Sequence, residues 1–250
     1  MIPILFVPGL LCTAEVFAPQ VAALWPYGPV TIASTCAGDS IPEIAAAILA
    51  NAPPEFALVG ISMGGYISLE ILRQEPERVI KLALLDSSAR PDTPEQITQR
   101  RAMVALARTG DFEAFVKKAL GVILHPAHQS DPALCAINVR MGMTVGLEGF
   151  ARQIEAILAR PDRRPTLPTI SIPTLILVGD SDLLTPPHLS EEMASAIPNA
   201  RLVVVPECGH GSTLEQPKAV NHALIDWITG WHRTAPQTGP GEEPYRVRRS

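Results

Sequence analysis

Short apolar segments alternate along this chain with longer segments of helical periodicity. The apolar segments are uninterrupted by charge on either face, which is typical of parallel strands covered by helices on both sides. We predict strands at Ile2–Val7, Val30–Ala33, Phe56–Val59, Val79–Leu85, Thr174–Val178 and Leu202–Val205. Helical patterns follow most of them, at about 14–24, 41–51, 63–74, 187–197 and 216–231. The alternation predicts an α/β fold with a mostly parallel sheet of about six strands.

The alternation is interrupted between residues 91 and 168. No strand pattern occurs there, and four helical patterns follow one another at 95–108, 111–123, 132–145 and 147–159. We interpret 91–168 as a helical insertion over one end of the sheet, so that 1–90 and 169–233 form the core. Residues 234–250 are rich in proline and glycine without periodicity, which predicts a flexible tail.

Composition excludes several classes of protein. Hydrophobic residues make up 47% of the chain and charged residues 18%, so the chain is not disordered. The net charge of −5 argues against a nucleic-acid partner, and the one basic cluster is Arg246, Arg248 and Arg249. The longest uncharged stretch, 16–38, is broken by prolines and glycines, so no membrane partner is expected. The sequence does not indicate an oligomeric state.

The cysteines and histidines do not form a metal-binding pattern. Four widely spaced cysteines (Cys12, Cys36, Cys135, Cys208) predict free thiols in a cytoplasmic protein. Residues 2–7 lack the charged start of a signal peptide, so we interpret them as a buried strand. His125 and His128 have the spacing of a weak metal pair, but no third ligand is near, and a solvated loop is favoured. We expect neither a metal nor an organic cofactor.

The segment Gly60-Ile61-Ser62-Met63-Gly64-Gly65 directly follows a predicted strand and begins a predicted helix. A serine in such a tight strand-to-helix turn is held in a strained conformation, and its neighbours two positions away must be small. Its hydroxyl then lies at a helix N-terminus that favours developing negative charge. A tight turn in a nucleotide-binding fold is the alternative, but no phosphate-binding glycine motif occurs in the chain. We therefore predict Ser62 as a nucleophile.

A serine hydroxyl needs an adjacent base, and the base needs an acceptor at its far nitrogen. His210 follows the last predicted strand, in a loop between Gly209 and Gly211, at the same sheet edge as Ser62. Three aspartates follow neighbouring strands and compete as the acceptor: Asp182, Asp86 and Asp180. Asp182 is favoured because it lies deeper in its loop, whereas Asp180 is placed to cap the loop backbone.

Two N–H donors are needed to stabilise an oxyanion in such a site. One is predicted to be the amide of Met63, the residue after the nucleophile. The other is predicted in the loop after the first strand, Val7-Pro8-Gly9-Leu10-Leu11-Cys12, where we nominate the Leu10 amide and keep Leu11 as the reserve.

With these motifs, the chain resembles the α/β-hydrolase superfamily over about residues 2–232. The matching segments are VPGLLC (7–12), GISMGG (60–65), VGDSDLLTP (178–186) and PECGHGSTLEQP (206–217). The resemblance implies a Ser62–His210–Asp182 triad, with the second aspartate of GDSD as the acid, and a helical cap at 91–168. Many relatives have His-Gly where this chain has Pro8-Gly9. The chain also starts at what resembles the family's third strand, so the N-terminal antiparallel strands are expected to be missing.

The resemblance implies a serine hydrolase that cleaves a small or medium carboxylic ester through an acyl-enzyme. An enol-lactonase or a carbon–carbon bond hydrolase on the same triad is the alternative, and a non-catalytic ligand-binding homologue is the second. The expected partner is a small-molecule ester or lactone. We expect an apolar substrate pocket lined by Leu10, Met63 and side chains of the insertion, with these further candidates: Leu11, Leu124, Met141 and Met143. Met141 and Met143 cannot share a helix face, so at most one of them should line the pocket.

Overall fold

The computed structural model describes residues 1–230 and 246–249. Its strands form one sheet in the order β2-β1-β3-β4-β5-β6-β7, and the first six are parallel. The strands are β1 (Ile4–Val7), β2 (Val30–Ile32), β3 (Phe56–Ile61), β4 (Val79–Leu85), β5 (Thr174–Gly179), β6 (Ala200–Val205) and β7 (Arg246–Arg249). The six predicted strands are confirmed, and their ends agree with the prediction to within two residues.

The helices also follow the predicted pattern. They are α1 (Ala18–Leu24), α2 (Ile41–Leu49), α3 (Met63–Gln74), α4 (Pro94–Thr109), α5 (Phe112–Ile123), α6 (Pro132–Leu158), α7 (Pro187–Ala196), α8 (Ser212–Glu215) and α9 (Pro217–Ile228). Short 3-10 helices occupy Ala14–Phe17, Trp25–Tyr27, Pro76–Arg78 and Arg164–Thr169. Helix α6 contains a break at Gly146, whose φ of 73° is not helical, at the position where the sequence separates two helical patterns.

Alternate residues of each strand point to opposite faces of the sheet, and each face packs against its own helices. In β1, Leu5 and Val7 belong to the apolar layer that contains residues of α2, α3 and α7. Ile4 and Phe6 belong to the opposite layer, which contains residues of α1 and α9. The sheet is therefore covered on both faces, which explains why its strands are apolar throughout.

The insertion contains helices α4, α5 and α6, and both α4 and α5 pack against α6. Its small core of Ala107, Phe150 and Ile154 contacts Leu10 and Leu11, in the loop after β1. The inserted helices therefore lie over the loop that was predicted to carry an oxyanion donor.

The two edges of the sheet differ. Strand β2 forms one edge, and within 1–230 and 246–249 no antiparallel strand lies beyond it, as expected. At the other edge, residues 246–249 pair antiparallel with β6 as strand β7, whereas the sequence predicted a flexible tail there. The rest of that predicted tail, 234–245 and Ser250, lies outside the described residues, as do residues 231–233 of the predicted core. In the described part of the chain, every helix is too short or too polar to cross a lipid bilayer.

Parallel pairing brings the carboxyl ends of β3, β4, β5 and β6 to one edge of the sheet. The loops that follow these strands contain the predicted nucleophile, its predicted base and all three competing aspartates. Residues up to 148 positions apart in sequence therefore meet in one small region.

Candidate active site

Ser62 occupies the turn between β3 and α3 in a strained backbone conformation, with φ 54° and ψ −118°. Such a conformation costs about 1–3 kcal/mol and persists only where neighbours hold it. The Ser62 N–H donates to the Leu85 carbonyl at 2.9 Å, and the Ser87 hydroxyl donates to the Ser62 carbonyl at 2.9 Å. A Cβ atom at Gly64 would lie 1.9 Å from the Val7 carbonyl oxygen, so only glycine allows this approach.

The hydroxyl of Ser62 contacts the imidazole of His210. Ser62 Oγ lies 2.8 Å from His210 Nε2, and His210 Nδ1 lies 2.8 Å from Asp182 Oδ2. In the neutral tautomer that satisfies both contacts, Nδ1–H donates to the carboxylate and Nε2 accepts the serine proton. This arrangement can activate a serine hydroxyl for attack on a carbonyl carbon.

Asp182 is held by donors from its own loop. The backbone amides of Leu184 and Thr185 donate to Oδ1 at 2.8 and 2.9 Å, and the Thr185 hydroxyl donates to Oδ2 at 2.7 Å. Burial on its own raises the pKa of a carboxyl group, but the charge of His210 and these hydrogen bonds outweigh burial and lower the pKa of Asp182 to about 2. Asp182 is therefore an anion throughout the physiological pH range.

The other two aspartates have different partners. Asp180 accepts hydrogen bonds from the amides of Glu207 and Cys208, at 3.2 and 3.3 Å. It therefore caps a loop backbone as predicted, but this backbone belongs to the loop after β6 and not to its own loop. Asp86 is buried and accepts from the amides of Gly179 and Ser212, at 3.1 and 3.3 Å. Burial and the nearby charge of Asp182 raise the pKa of Asp86 to about 8. A carboxyl group that is neutral near pH 7 is a poor partner for an imidazolium.

The environment of His210 favours its protonated form. Burial by itself lowers the pKa of an imidazole, but the charge and hydrogen bond of Asp182 raise the pKa of His210 above its ordinary value of 6.5. Glu215 adds a smaller effect in the same direction. The neutral form of this imidazole, which could act as a base, therefore needs a higher pH than in an ordinary histidine.

Glu215 connects the histidine loop to the insertion. Its carboxylate is fully buried, and Oε1 accepts from the amides of Gly209 and Gly211, which flank His210, both at 3.1 Å. Oε2 accepts from the amide of His125 at 2.7 Å and contacts His128 Nδ1 at 2.9 Å. His125 and His128 therefore contact a carboxylate, and within 1–230 and 246–249 no group of three potential metal ligands occurs.

The loop after β1 lies beside Ser62. A Cβ atom built on Gly9 would lie 3.2 Å from the Cβ atom of Ser62, which brings the following amides close to the serine. The amide of Leu11 donates to Gln153 Oε1 at 3.0 Å, so the reserve oxyanion donor is already engaged. The amide of Leu10 has no such partner in the described part of the chain, and Met63 begins α3, where an N–H lacks an intrahelical acceptor. Leu10 and Met63 thus remain the candidate donors.

A cavity of about 300 Å³ opens beside Ser62 and His210. Its lining is mainly apolar and comes largely from the insertion and from the loop that includes Leu10 and Leu11. Cys12 also lines the cavity, but burial raises the pKa of its thiol to about 12, so it stays protonated. The apolar side chains contributed by the insertion are Met103, Phe115, Val116, Ala119, Leu120, Val122, Ile123, Phe150 and Ile157.

The predictions that Leu124, Met141 and Met143 line the cavity are wrong. Met141 is buried in the apolar layer that contains α1 and α9, and Met143 is 44% exposed on another face of α6. Leu124 is buried where α5 ends, and its backbone packs against Gly209. Met63 is also buried, in the layer with α2 and α3, so it offers its amide and not its side chain.

Sequence reasoning missed three buried contacts: those of Glu215, Gln153 and Thr185. Thr185 lies three residues after Asp182 and Glu215 lies five residues after His210, so each is part of a motif that was already singled out. Gln153 has no local signal, because its partners Leu11 and Thr35 are far away in the sequence. All four cysteines are free thiols, as predicted.

Comparisons with known proteins agree with this fold. Residues 39–217 match the family model described as the alpha/beta hydrolase fold. The chain is 31% identical over 193 residues to a pimeloyl-[acyl-carrier protein] methyl ester esterase of Nitrosomonas europaea, covering 73% of this chain and 75% of that protein. Its structure is similar to that of an esterase from Thermogutta terrifontis, with a TM-score of 0.83, 28% identity, and coverage of 93% of this chain and 91% of that one.

A third similar protein is an enol-lactonase from Burkholderia xenovorans LB400. The TM-score is 0.82, the identity is 27%, and the match covers 91% of each chain. The family model covers well over half of this chain, and its range includes Ser62, Asp182 and His210. The parallel sheet and these matches together lead to one conclusion: the chain belongs to the α/β-hydrolase fold family.

Proposed function

We propose that this protein is a serine hydrolase that cleaves a small or medium carboxylic ester through an acyl-enzyme intermediate. One observation carries the proposal: Ser62 Oγ, His210 Nε2, His210 Nδ1 and Asp182 Oδ2 form a continuous series of 2.8 Å contacts beside an open apolar cavity. The matches to an esterase and to a methyl ester esterase support the same reaction class.

Acylation begins when Ser62 Oγ attacks the ester carbonyl carbon and His210 Nε2 accepts its proton. The Asp182 carboxylate stabilises the resulting imidazolium through Nδ1–H. The amides of Leu10 and Met63 donate to the tetrahedral oxyanion, and each such donor contributes about 3–4 kcal/mol in comparable enzymes. The imidazolium then protonates the leaving alcohol, and the acyl group stays on Ser62.

Deacylation repeats these steps with water. His210 removes a proton from a water molecule, which attacks the acyl carbon, and then returns the proton to Ser62 Oγ as the acid leaves. Both half-reactions need neutral His210 as the base and its charged form as the acid. The hydrogen bond with Asp182 stabilises both the neutral and the protonated form of His210, because Nδ1 carries a proton in both and donates it to the carboxylate.

The cavity supports a substrate of limited size. A volume of about 300 Å³ is at the lower end of ligand pockets, and its apolar walls suit a short acyl chain or a small ring. The similarity to an enol-lactonase favours a lactone as the second candidate substrate, since ring opening uses the same attack by Ser62.

A fluorophosphonate probe tests the serine chemistry. We expect wild-type protein and the Ser34→Ala control, which removes an exposed serine, to be labelled, and Ser62→Ala to stay unlabelled. Hydrolysis of p-nitrophenyl esters of graded chain length, compared with lactones and with diketones for carbon–carbon cleavage, then identifies the reaction. If no variant is labelled while a small ligand still raises the melting temperature, the protein is a binding homologue and the proposal is wrong.

A further inference from the structure

One wall of the cavity is formed by polar side chains of helix α4. Helix α4 turns a single face toward the cavity, with Gln96, Gln99, Arg100 and Met103 at the spacing i, i+3, i+4 and i+7. The helix is fixed at its start by a capping box between Thr93 and Gln96. Its first turns therefore present amide and guanidinium donors to the substrate cavity.

Arg100 carries positive charge that its protein partners do not fully balance. Arg100 Nε donates to Asp92 Oδ2 at 2.6 Å, and Arg160 Nη2 donates to Asp92 Oδ1 at 2.7 Å. The Asp92 side chain is 1% exposed, and two guanidinium groups share its single carboxylate. The cluster of these three side chains consequently has a net charge of +1, from two cations and one anion.

The two arginines differ in the N–H donors that remain available to a ligand. Arg160 also donates to the carbonyls of Arg90 and Ile157, and its guanidinium lies 4.3 Å from the ring centre of Tyr66. Arg100 Nη1 has no hydrogen-bond partner in the described part of the chain, and its side chain is 22% exposed beside the cavity. Arg100 is thus the member of the cluster that can donate to a ligand.

The remaining lining residues do not oppose this charge. Within 1–230 and 246–249, no aspartate or glutamate lines the cavity. The side-chain NH₂ of Gln96 is free, because only its oxygen is used in the capping box. A cavity with a guanidinium, three side-chain amides and no lining carboxylate favours an anionic ligand over a neutral or cationic one.

We propose that Arg100, assisted by Gln96 and Gln99, binds a carboxylate that the substrate carries at the end remote from the bond cleaved at Ser62. The inference rests on the proposed hydrolase function and specifies its substrate class: esters or lactones of acids with a second, distal carboxylate. Guanidinium groups suit carboxylates because their planar donors match the carboxylate oxygens. The apolar middle of the cavity would hold the methylene chain between the two ends.

Two matched p-nitrophenyl esters test this directly. One is the mono-ester of adipic acid, and the other is the equally long ester in which a methyl ketone replaces the distal carboxylate. We expect wild-type protein to have a higher kcat/KM on the carboxylate ester by about 10-fold to 100-fold, the range of a charge-assisted contact, mostly through KM. Arg100→Met should abolish this preference, because it should lower kcat/KM on the carboxylate ester far more than on the ketone ester, while Arg160 still holds Asp92.

Arg101→Met is the matched control. It removes the same charge from the next residue of α4, which does not line the cavity, so it should retain the preference. A series from succinate to suberate mono-esters should show a sharp optimum in chain length, since a fixed cation has a fixed distance from Ser62. The proposal is overturned if wild type treats the two adipate-length esters alike, if Arg101→Met matches Arg100→Met, or if the series has no optimum.

These outcomes are separable from failure of the hydrolase proposal itself. Turnover of the ketone ester and fluorophosphonate labelling report only on Ser62 and His210. If both are present without a preference for the carboxylate, the hydrolase stands and the distal site does not. If both are absent, the hydrolase proposal fails first.

Discussion

Glu215 offers a test of how the histidine loop is held in place. Four donors converge on its buried carboxylate: the amides of Gly209, Gly211 and His125, and the ring of His128. In Glu215→Gln, one oxygen becomes an NH₂ group, which can face His128 because a neutral imidazole can present Nδ1 as an acceptor. The His125 amide then lacks an acceptor, and one unsatisfied buried donor costs about 1–3 kcal/mol.

The same substitution removes a negative charge that raises the pKa of His210. The acid limb of kcat/KM should therefore move to lower pH in Glu215→Gln. Because a displaced base lowers the rate even at optimal pH, kcat should also fall, by about 10-fold to 100-fold. Glu215→Leu leaves all four donors without an acceptor and should lower the free energy of unfolding by about 4 kcal/mol or more.

Urea unfolding and pH profiles of ester hydrolysis measure these effects. Glu207→Gln is the control, since it removes an exposed carboxylate three residues before His210 without touching these contacts. The reasoning is refuted if Glu215→Gln matches this control in the free energy of unfolding, in kcat and in the midpoint of the acid limb.

Three further predictions concern the triad and the oxyanion loop. Ester hydrolysis by wild type should decrease as the pH falls, with a midpoint above 6.5. The reason is that the raised pKa of His210 leaves less of the neutral imidazole at acidic pH. A midpoint below 6.5 would contradict this. Asp182→Asn should lower kcat by about 10⁴-fold with the fold intact by circular dichroism, while Asp86→Asn should be much milder. The reverse order would transfer the role of the acid to Asp86. Gln153→Leu should lower kcat/KM by about 10-fold in the same assay, because the amide of Leu11 loses its hydrogen-bond acceptor. Gln153→Glu keeps an acceptor oxygen and should restore the rate. Equal rates in both variants would show that this hydrogen bond does not matter for catalysis.

The sequence was most informative where chemistry dictates residue type within a short segment. The tight turn at Ser62 needs small residues at positions 60 and 64, and the sequence has glycine at both. Parallel strands then force the following loops to one edge, which is why Ser62 and His210 could be placed together without coordinates. Among the aspartates, position in the loop favoured Asp182 over Asp180, and the structure places Asp182 against His210 and Asp180 against the backbone after β6.

Contacts between distant segments could not be predicted in this way. The partners of Glu215 in the insertion lie 87 and 90 residues away, and Gln153 lies 142 residues from Leu11. The error at Met141 and Met143 has the same origin. Periodicity separates the two side chains, but only the packing of α6 on the sheet decides that one is buried in the core and the other is exposed.

Trapping the covalent intermediate tests the central claim most directly. Protein would be mixed rapidly with a p-nitrophenyl ester, quenched in acid and digested, and the peptides analysed by mass spectrometry. We predict one acyl group on the peptide that contains Ser62, none in Ser62→Ala, and a much slower appearance in His210→Ala. Ester turnover by wild type without acylation of Ser62, or an equal acylation rate in His210→Ala, would contradict the proposed mechanism.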